Sequence, residues 1–378
     1  MLLALKYSET LRLYDEQLRL GLEKVLNFKM QDEAWGQGCL PVANGGLGIR
    51  RATDLSLPAF LSSAHGAQQG MRKLLPQPIF DNEYQARLDA ETAWGETFNN
   101  NGDAVQPENK NLQASWDSLL CKFKYDQLLE STPAMVEKAR IRAVASEHSS
   151  DWLNALPVPA LGLKLDNSST RIADGLRLGT PLCEPYRCIC GSLVDSSGRH
   201  GLSCKKAKGT TARHGHANGL IKRALASAQV PSVLEPPGLT RSDGRKPDGL
   251  TLFPWSNGKS VVWDYTCRDT LCNSYVTHTS QEAGKAAEMA EKKNLEHYAD
   301  LSRQYTIIPV ATETMGSWGN MGLKFLKEIG KRIIEQTGEK RSTCYLFQVL
   351  SMATQMGNVA SIRGSMPDSE SMTEIIYL

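Results

Sequence analysis

The 378-residue sequence predicts an α-helical amino-terminal region followed by an α/β core in which helices flank a mixed sheet. Three observations support this prediction. Apolar residues recur at helical spacing through most of the first half. From residue 212 the patterns follow the order helix, strand, strand, strand, helix, strand, helix, which is typical of a sheet covered by helices. Between these regions, four of the nine cysteines fall within residues 183–204, where a small metal-binding segment is expected.

Composition describes an ordinary globular protein, with 41% hydrophobic and 22% charged residues. The formal net charge is only +2, so any nucleic-acid-binding surface must be local. The sequence has no apolar run near the length of a membrane span and no signal-peptide pattern, which favours an intracellular protein without a membrane partner. In a reducing compartment, cysteines are more often free thiols or metal ligands than disulfides.

The first half has no clustered histidines, cysteines or paired acids, and it is interpreted as a helical scaffold. The spacing predicts helices over residues 1–28, 52–75, 116–124 and 132–147. Gly45, Gly46 and Gly48 lack the spacing of a dinucleotide-binding loop, so they are interpreted as a tight turn. Residues 76–112 are rich in Pro, Asn, Gln and Asp, and are expected to form a loop or a poorly ordered insert.

A cysteine- and histidine-rich segment comes next. Two cysteines one residue apart precede a histidine and a cysteine that are one helical turn apart: Cys188, Cys190, His200 and Cys204. These residue types suit a tetrahedral Zn²⁺ site of the Cys₃His type that closes a structural clip. Cys183 and His214 are further candidate ligands. Buried thiols without a metal are the alternative interpretation.

Basic and polar side chains follow the cysteines. The basic residues are Lys205, Lys206, Lys208 and Arg213. Residues 212–228 are predicted to be helical, and His214 and Asn218 share one face because they are four residues apart. The basic residues are candidates to contact phosphates, although solvated surface charge is the commoner explanation for each of them alone.

Residues 245–264 carry the clearest candidate site. Asp248 ends a Lys-Pro-Asp turn, and Asp264 closes a short apolar run. The Ser-Asn-Gly turn at residues 256–258 can fold the two runs into a hairpin, which brings the two acids together at one end of a sheet. Paired carboxylates are stabilised by a divalent cation, and hard oxygen ligands favour Mg²⁺. The plain alternative is a surface hairpin that carries two acids.

The remaining segments complete the predicted core. A helix over residues 280–299 follows the hairpin, with Lys293 at the rim of its buried face and Lys285 and Lys292 pointing away. Geometry therefore favours Lys293 as the lysine that reaches the carboxylates. A buried strand is predicted at residues 305–312. Helices at 320–337 and 342–358 follow, and the tail after residue 363 is expected to be loose.

Five motifs together resemble a known family. They are Cys188-x-Cys190 with His200-x₃-Cys204, Arg213-His214 with Asn218, Glu235-Pro236, Lys246-Pro247-Asp248, and Trp263-Asp264-x-Thr266. In this order they resemble the carboxyl-terminal region of non-LTR retrotransposon polyproteins that carry a restriction-like endonuclease of the PD-(D/E)xK superfamily. The resemblance covers about residues 181–350. The segment Leu40-Pro-Val-x-x-Gly-Gly-Leu-Gly-Ile also resembles the part of those polyproteins that follows the polymerase thumb.

The resemblance implies four regions: a helical post-thumb linker (1–180), a zinc knuckle (181–210), a nuclease core (211–360) and a loose tail (361–378). It implies structural Zn²⁺, catalytic Mg²⁺ or Mn²⁺, DNA and element RNA as partners, and a nuclear location. The implied activity is nicking of target DNA. The polymerase's Tyr/Phe-x-Asp-Asp motif is absent, so the chain looks like a fragment of such a polyprotein.

The hypothesised mechanism assigns a role to each candidate residue. Asp248 and Asp264 bind the catalytic metal, Lys293 stabilises charge on the phosphate or orients water, and Glu235 supplies a further ligand or caps a strand end. His214, Asn218 and Arg213 position the phosphate or the water. The residues expected to hold the DNA backbone are Lys205, Lys206, Lys208 and Lys246.

Two departures from the family pattern keep an alternative open. Thr266 stands where the superfamily has its lysine, and Asn294 stands where this branch has one, four residues before Tyr298. The rival hypothesis is therefore a zinc-containing nucleic-acid-binding protein whose nuclease core is inactive. A structural protein without a nucleic-acid role is a third, weaker hypothesis.

Overall fold

The computed structural model describes residues 8–98, 105–207, 209–239, 244 and 246–367. The chain divides into two compact units, Met1–Ser131 and Thr132–Leu378. The described part of the first unit is helical. Its helices are α1 (Ser8–Leu26), α2 (Asp32–Gly38), α3 (Ala52–Leu74), α4 (Gln77–Thr97) and α5 (Gln113–Ser131), with a 3₁₀ turn at Val42–Asn44.

The core of the first unit is built on tryptophans. Trp94 of α4 and Trp116 of α5 are buried edge to face, with ring centroids 5.1 Å apart, and Leu61 of α3 packs beside them. The prediction of a loop over residues 76–112 is therefore wrong for α4. Pro78 lies in the first turn of that helix, where its missing N–H costs no hydrogen bond, and burial of Trp94 outweighs the polar composition.

The second unit combines helices with two small sheets. Its helices are α6 (Met135–Val144), α7 (Asn167–Leu178), α8 (His200–Ser203), α9 (Gly209–Ser227), α10 (Val276–Thr279), α11 (Lys285–His297), α12 (Asn320–Thr337) and α13 (Ser342–Arg363). Its strands are β1 (Tyr186–Arg187), β2 (Leu193–Val194), β3 (Ser232–Leu234), β4 (Gly249–Thr251), β5 (Val261–Arg268) and β6 (Thr306–Glu313). Short 3₁₀ turns lie at Asp151–Asn154, Pro159–Leu161 and Ala299–Arg303.

The larger sheet has the strand order β3-β4-β5-β6, in which β5 and β6 are parallel and the other pairs are antiparallel. It is the mixed sheet expected from the sequence, and its elements follow the predicted order. Alternate residues of β5 face opposite sides. Trp263 and Tyr265 pack against α9 and α13, whereas Val262 belongs to a cluster with Tyr298 at the end of α11.

Two predicted boundaries differ from the structure. Residues 132–180 belong to the second unit rather than the amino-terminal region, because Val144 and Ile172 share a buried core with Cys188 and Cys204. The tail is also not loose at its start. Residue Met366 is buried in the same core, and α13 extends to Arg363. Residues 368–378 of the predicted tail lie outside the described residues.

Candidate active site and metal centre

The four predicted zinc ligands come together in the second unit. Cys188 and Cys190 lie in the turn after β1, His200 begins α8 and Cys204 follows it. The two sulfurs of Cys188 and Cys204 are 3.6 Å apart, and Cys190 Sγ is 3.2 Å from His200 Nε2. All four ligand atoms lie within 4.8 Å of one another. Zn–S bonds of about 2.3 Å in a tetrahedron separate two sulfurs by about 3.8 Å, so this cluster can hold a metal ion and is compatible with zinc.

The two spare candidates are not part of this cluster. Cys183 is fully buried, and its thiol lies 3.6 Å from the carbonyl oxygen of Asp195. Burial raises the pKa of the Cys183 thiol to about 11, so it remains protonated at neutral pH. His214 instead contacts Asp248. The cluster that could hold a metal ion therefore consists of three cysteines and one histidine.

Loss of this metal is expected to destabilise the second unit. Cys188 and Cys204 lie in one buried core with residues of α6, α7 and α13. Replacing Cys204 by serine should remove stoichiometric zinc and lower the unfolding temperature by on the order of 10 °C, because the binding energy of a structural zinc contributes to folding. Zinc content and thermal unfolding measure both effects. Cys344→Ser changes an exposed thiol and is the matched control. Unchanged zinc content in Cys204→Ser would contradict the assignment.

The sheet brings the two predicted carboxylates together. Gly249 of β4 pairs with Trp263 of β5 in an antiparallel register, and extending that register by one residue sets Asp248 opposite Asp264. Only glycine fits at position 249, because a Cβ there would lie 2.0 Å from the Trp263 indole. The backbone N–H of Glu235 also donates to the carbonyl oxygen of Asp248 at 2.9 Å. The Asp248 backbone is thus fixed from both sides.

Asp248 is held by the helix as well as by the sheet. Its Oδ2 accepts the backbone N–H of Tyr265 at 2.6 Å and lies 3.0 Å from His214 Nε2. Asn218 Nδ2 is 3.5 Å from His214 Nδ1, and Asn218 Oδ1 accepts the Trp263 indole N–H at 3.0 Å. The hydrogen bond to Asp248 raises the pKa of His214, although burial opposes it. The predicted pair on α9 therefore lies at the site and orients the first carboxylate.

Asp264 is held from the other side by α11. The Tyr298 hydroxyl donates to Oδ1 at 3.0 Å, and Asn294 Nδ2 donates to Oδ2 at 2.7 Å. The same amide lies 3.3 Å from the hydroxyl of Thr266. Burial, and then the charge of Asp248, raise the pKa of Asp264 to about 6. The charge of Asp248 acts on Asp264, and two carboxylates that interact in this way favour a bound cation or a proton.

The raised pKa of Asp264 predicts how stability depends on pH. Because the folded state binds this proton more tightly than the unfolded state, the stabilisation is complete below about pH 4 and is lost as the pH rises through about 6. Asp264→Asn should then unfold less readily than wild type at pH 8. The free energy of unfolding should rise by about 1–2 kcal/mol. The pKa difference contributes about 3 kcal/mol, and the loss of about one hydrogen bond in the variant reduces that gain.

Denaturant unfolding at pH 4.5 and pH 8, in buffer without added Mg²⁺ or Mn²⁺, measures this effect. The difference between the variant and wild type should be clear at pH 8 and small at pH 4.5. Asp300→Asn changes an exposed acid just beyond α11 and should have no such effect. If the variant is less stable than wild type at pH 8, burial and the charge of Asp248 do not raise the pKa of Asp264.

The structure does not bring Lys293 to the carboxylates. Its side chain is exposed, and among the described residues it contacts neither Asp248 nor Asp264. The face of α11 that meets the sheet carries Ala287, Ala290 and Asn294, and Lys293 is turned from it by about 100°. The role predicted for Lys293 therefore stays a prediction, and Asn294 is the neighbouring residue of α11 that contacts Asp264.

Arg213 and Glu235 also differ from their predicted roles. Arg213 is buried, its guanidinium donates to Asn358 Oδ1 at 2.8 Å, and its stem packs on Gly357 of α13, so it cannot meet a phosphate at the surface. Glu235 lies at φ +47° with an exposed side chain. Among the described residues, that carboxylate contacts neither acid, and only its backbone N–H supports Asp248.

The remaining basic candidates lie at the surface. Lys205, Lys206 and Lys246 are exposed, and Lys208 lies outside the described residues. Tyr298 was not predicted as a site residue. Its hydroxyl lies 3.0 Å from Asp264 Oδ1 and 3.2 Å from the Lys246 carbonyl oxygen, two acceptors that share its one proton. Its spacing of four residues from Asn294, along the alanine face of α11, is the signal that identifies it.

Comparison with known proteins finds no matching protein-family model and no matching curated protein. None of the helices in the described part of the chain is both long and apolar enough to span a membrane. The functional assignment therefore depends on the geometry of the two clusters.

Proposed function

We propose that the second unit is a metal-dependent DNA endonuclease core of the restriction-like, PD-(D/E)xK type, and that it belongs to a non-LTR retrotransposon polyprotein. The observation that supports this most strongly is the pair Asp248 and Asp264, which lie at opposite positions of β4 and β5 when their register is extended by one residue. Each acid is held by its own set of donors. The pKa of Asp264 is raised by burial and by the charge of Asp248. Such a pair is suited to Mg²⁺ or Mn²⁺.

Different residues of this chain have different roles in the proposed reaction. A cation held by Asp248 and Asp264 supplies Lewis acidity and an activated water. His214 and the Tyr265 N–H both hold Oδ2 of Asp248, and Oδ1 has no hydrogen bond among the described residues. Oδ1 is therefore available as a ligand. Asn294 and Tyr298 fix both oxygens of Asp264 and orient them.

The zinc cluster and the exposed lysines are proposed to hold the nucleic acid. Lys205 directly follows the ligand Cys204, and Lys206 is exposed beside it. Lys246 lies two residues before Asp248 and is also exposed. Contacts from these side chains to phosphates give affinity without sequence choice. DNA and element RNA are the proposed partners, and a nuclear location follows from that role.

A second function is favoured by one specific observation. The place of a catalytic lysine is filled by the neutral amide of Asn294, which donates to Asp264 and lies beside the Thr266 hydroxyl. A site that lacks the positive charge of this lysine stabilises negative charge on the phosphate less well. The second candidate is therefore a zinc-containing nucleic-acid-binding protein with an inactive nuclease core.

Two assays on the purified protein separate these functions. The first measures nicking of supercoiled plasmid with Mg²⁺, with Mn²⁺ and without either, and omits chelators because they also remove zinc. The second measures DNA binding as salt is raised. Metal-dependent nicking supports the nuclease, and salt-sensitive binding without nicking supports the binding protein. Absence of both nicking and binding contradicts both functions.

A further inference from the structure

A cavity lies in the second unit, between α9, the start of α13 and the 3₁₀ turn Pro159–Leu161. We call it the distal groove; its volume is about 570 Å³. The wall from α9 presents His216, Leu220, Arg223 and Ser227, which share one face at helical spacing. The wall from α13 presents Ser342, Tyr345, Leu346 and Val349, which also share a face. Two helix faces thus form a trough between them.

The rim of the distal groove is unusually apolar. Leu161 and Tyr345, which line the groove, are 53% and 42% exposed. Leu156 and Val158, which precede Leu161 in the sequence, are 73% and 38% exposed. Single exposed apolar residues are common, but several next to a cavity mark an interaction site. The apolar residues of the groove come from α9, α13 and the 3₁₀ turn, so a ligand in it would contact several segments of the chain.

The charge of the groove is positive and uncompensated. Arg223 lines the groove and Lys222 lies next to it; both are exposed, and neither has an ion-pair partner among the described residues. Desolvation, and then the charge of Arg223, lower the pKa of His216. An arginine without an ion-pair partner complements a negatively charged group of a ligand, such as a carboxylate.

The distal groove is separate from the carboxylate pair. His214 and Asn218 turn towards Asp248 and Trp263, whereas His216 lies about 200° from His214 around the axis of α9. One helix therefore serves two different surfaces. The groove is not needed to explain the proposed nuclease, and its occupant need not be nucleic acid.

We propose that the distal groove binds an amphipathic helix of a partner protein, with apolar residues along one face and glutamates or aspartates beside it. The face of α9 from His216 to Ser227 is about 16 Å long, which matches three turns of a guest helix. Guest side chains at positions i, i+3, i+4 and i+7 fill the cavity between the two walls, as in other helix-in-groove complexes. A guest carboxylate pairs with Arg223.

Fluorescence anisotropy with three labelled synthetic peptides tests this proposal on the full chain. The first peptide has leucines at those positions and glutamates elsewhere, the second has the same composition in scrambled order, and the third has lysines in place of the glutamates. Only the first should bind with a measurable Kd. Arg223→Glu and Leu161→Asp should each weaken that binding by on the order of tenfold or more. Lys292→Glu changes an exposed lysine on α11 and should not weaken it.

Several outcomes would overturn the proposal. Equal binding of the scrambled peptide, or no binding of any peptide, contradicts a helix-binding groove. An unchanged Kd in Arg223→Glu contradicts the role of charge. If Arg223→Glu weakens the binding of a single-stranded oligonucleotide while the peptide does not bind, the surface holds nucleic acid instead. Plasmid nicking and zinc content should be unchanged in both groove variants, so failure of this proposal is distinguishable from failure of the nuclease.

Discussion

Alanine at Asp264 or at Asp248 is expected to lower the rate of metal-dependent plasmid nicking by at least about 10³-fold, equivalent to about 4 kcal/mol of transition-state stabilisation. Each acid supplies a different side of the proposed cation site. Asp248 is oriented by His214, and Asp264 by Asn294 and Tyr298. A single remaining carboxylate holds Mg²⁺ weakly, because this ion needs several well-placed oxygens.

The matched control for this prediction is Asp300→Ala, which removes an exposed acid close to the same helix. Its nicking rate should equal that of wild type, and all three variants should bind DNA with the same salt dependence. The two active-site variants are expected to act as a unit, so the double variant should be little slower than either single one. Nicking that persists in Asp264→Ala would mean that the activity comes from elsewhere in the chain or from a contaminant.

The position of the carboxylate pair could be predicted because hairpin geometry is local. The turn that joins the two strands contains Asn257 at φ +49° and Gly258 at φ +73°, the left-handed pair that tight hairpins require. Alternation along β5 then decides which side chains face α11. The Cys/His cluster could be predicted because its residue types lie close together in the sequence, and their four ligand atoms lie within 4.8 Å of one another.

Other features depend on tertiary packing that no local pattern reveals. Arg213 has the charge of a phosphate contact, but α13 crosses α9 so closely at Gly357 that the side chain is enclosed. Lys293 and Asn294 are neighbours in the sequence, but adjacent residues of a helix point in different directions. The orientation of α11 therefore decides which of them contacts Asp264. The helix Gln77–Thr97 has a polar composition and forms because Trp94 is buried.

Replacing Asn294 by lysine is expected to raise the rate of metal-dependent nicking by about 10- to 100-fold. The amide of Asn294 is 2.7 Å from Asp264 Oδ2 and 3.3 Å from the Thr266 hydroxyl, so a lysine from the same backbone position reaches the carboxylate pair. It adds a positive charge where the scissile phosphate gains negative charge. It also lowers the pKa of Asp264, and that carboxyl then binds a cation at lower pH.

Two further variants separate this effect from a general gain of basic charge. Lys293→Ala should leave nicking unchanged, because that side chain points to solvent. Asn294→Gln lengthens the side chain without adding charge and should not raise the rate. The pH at which Asn294→Lys reaches half of its maximal rate should lie below that of wild type. If Asn294→Lys nicks no faster than wild type, while Asp264→Ala still abolishes nicking, Asn294 is part of an active nuclease site. It is then not a sign of an inactive nuclease core.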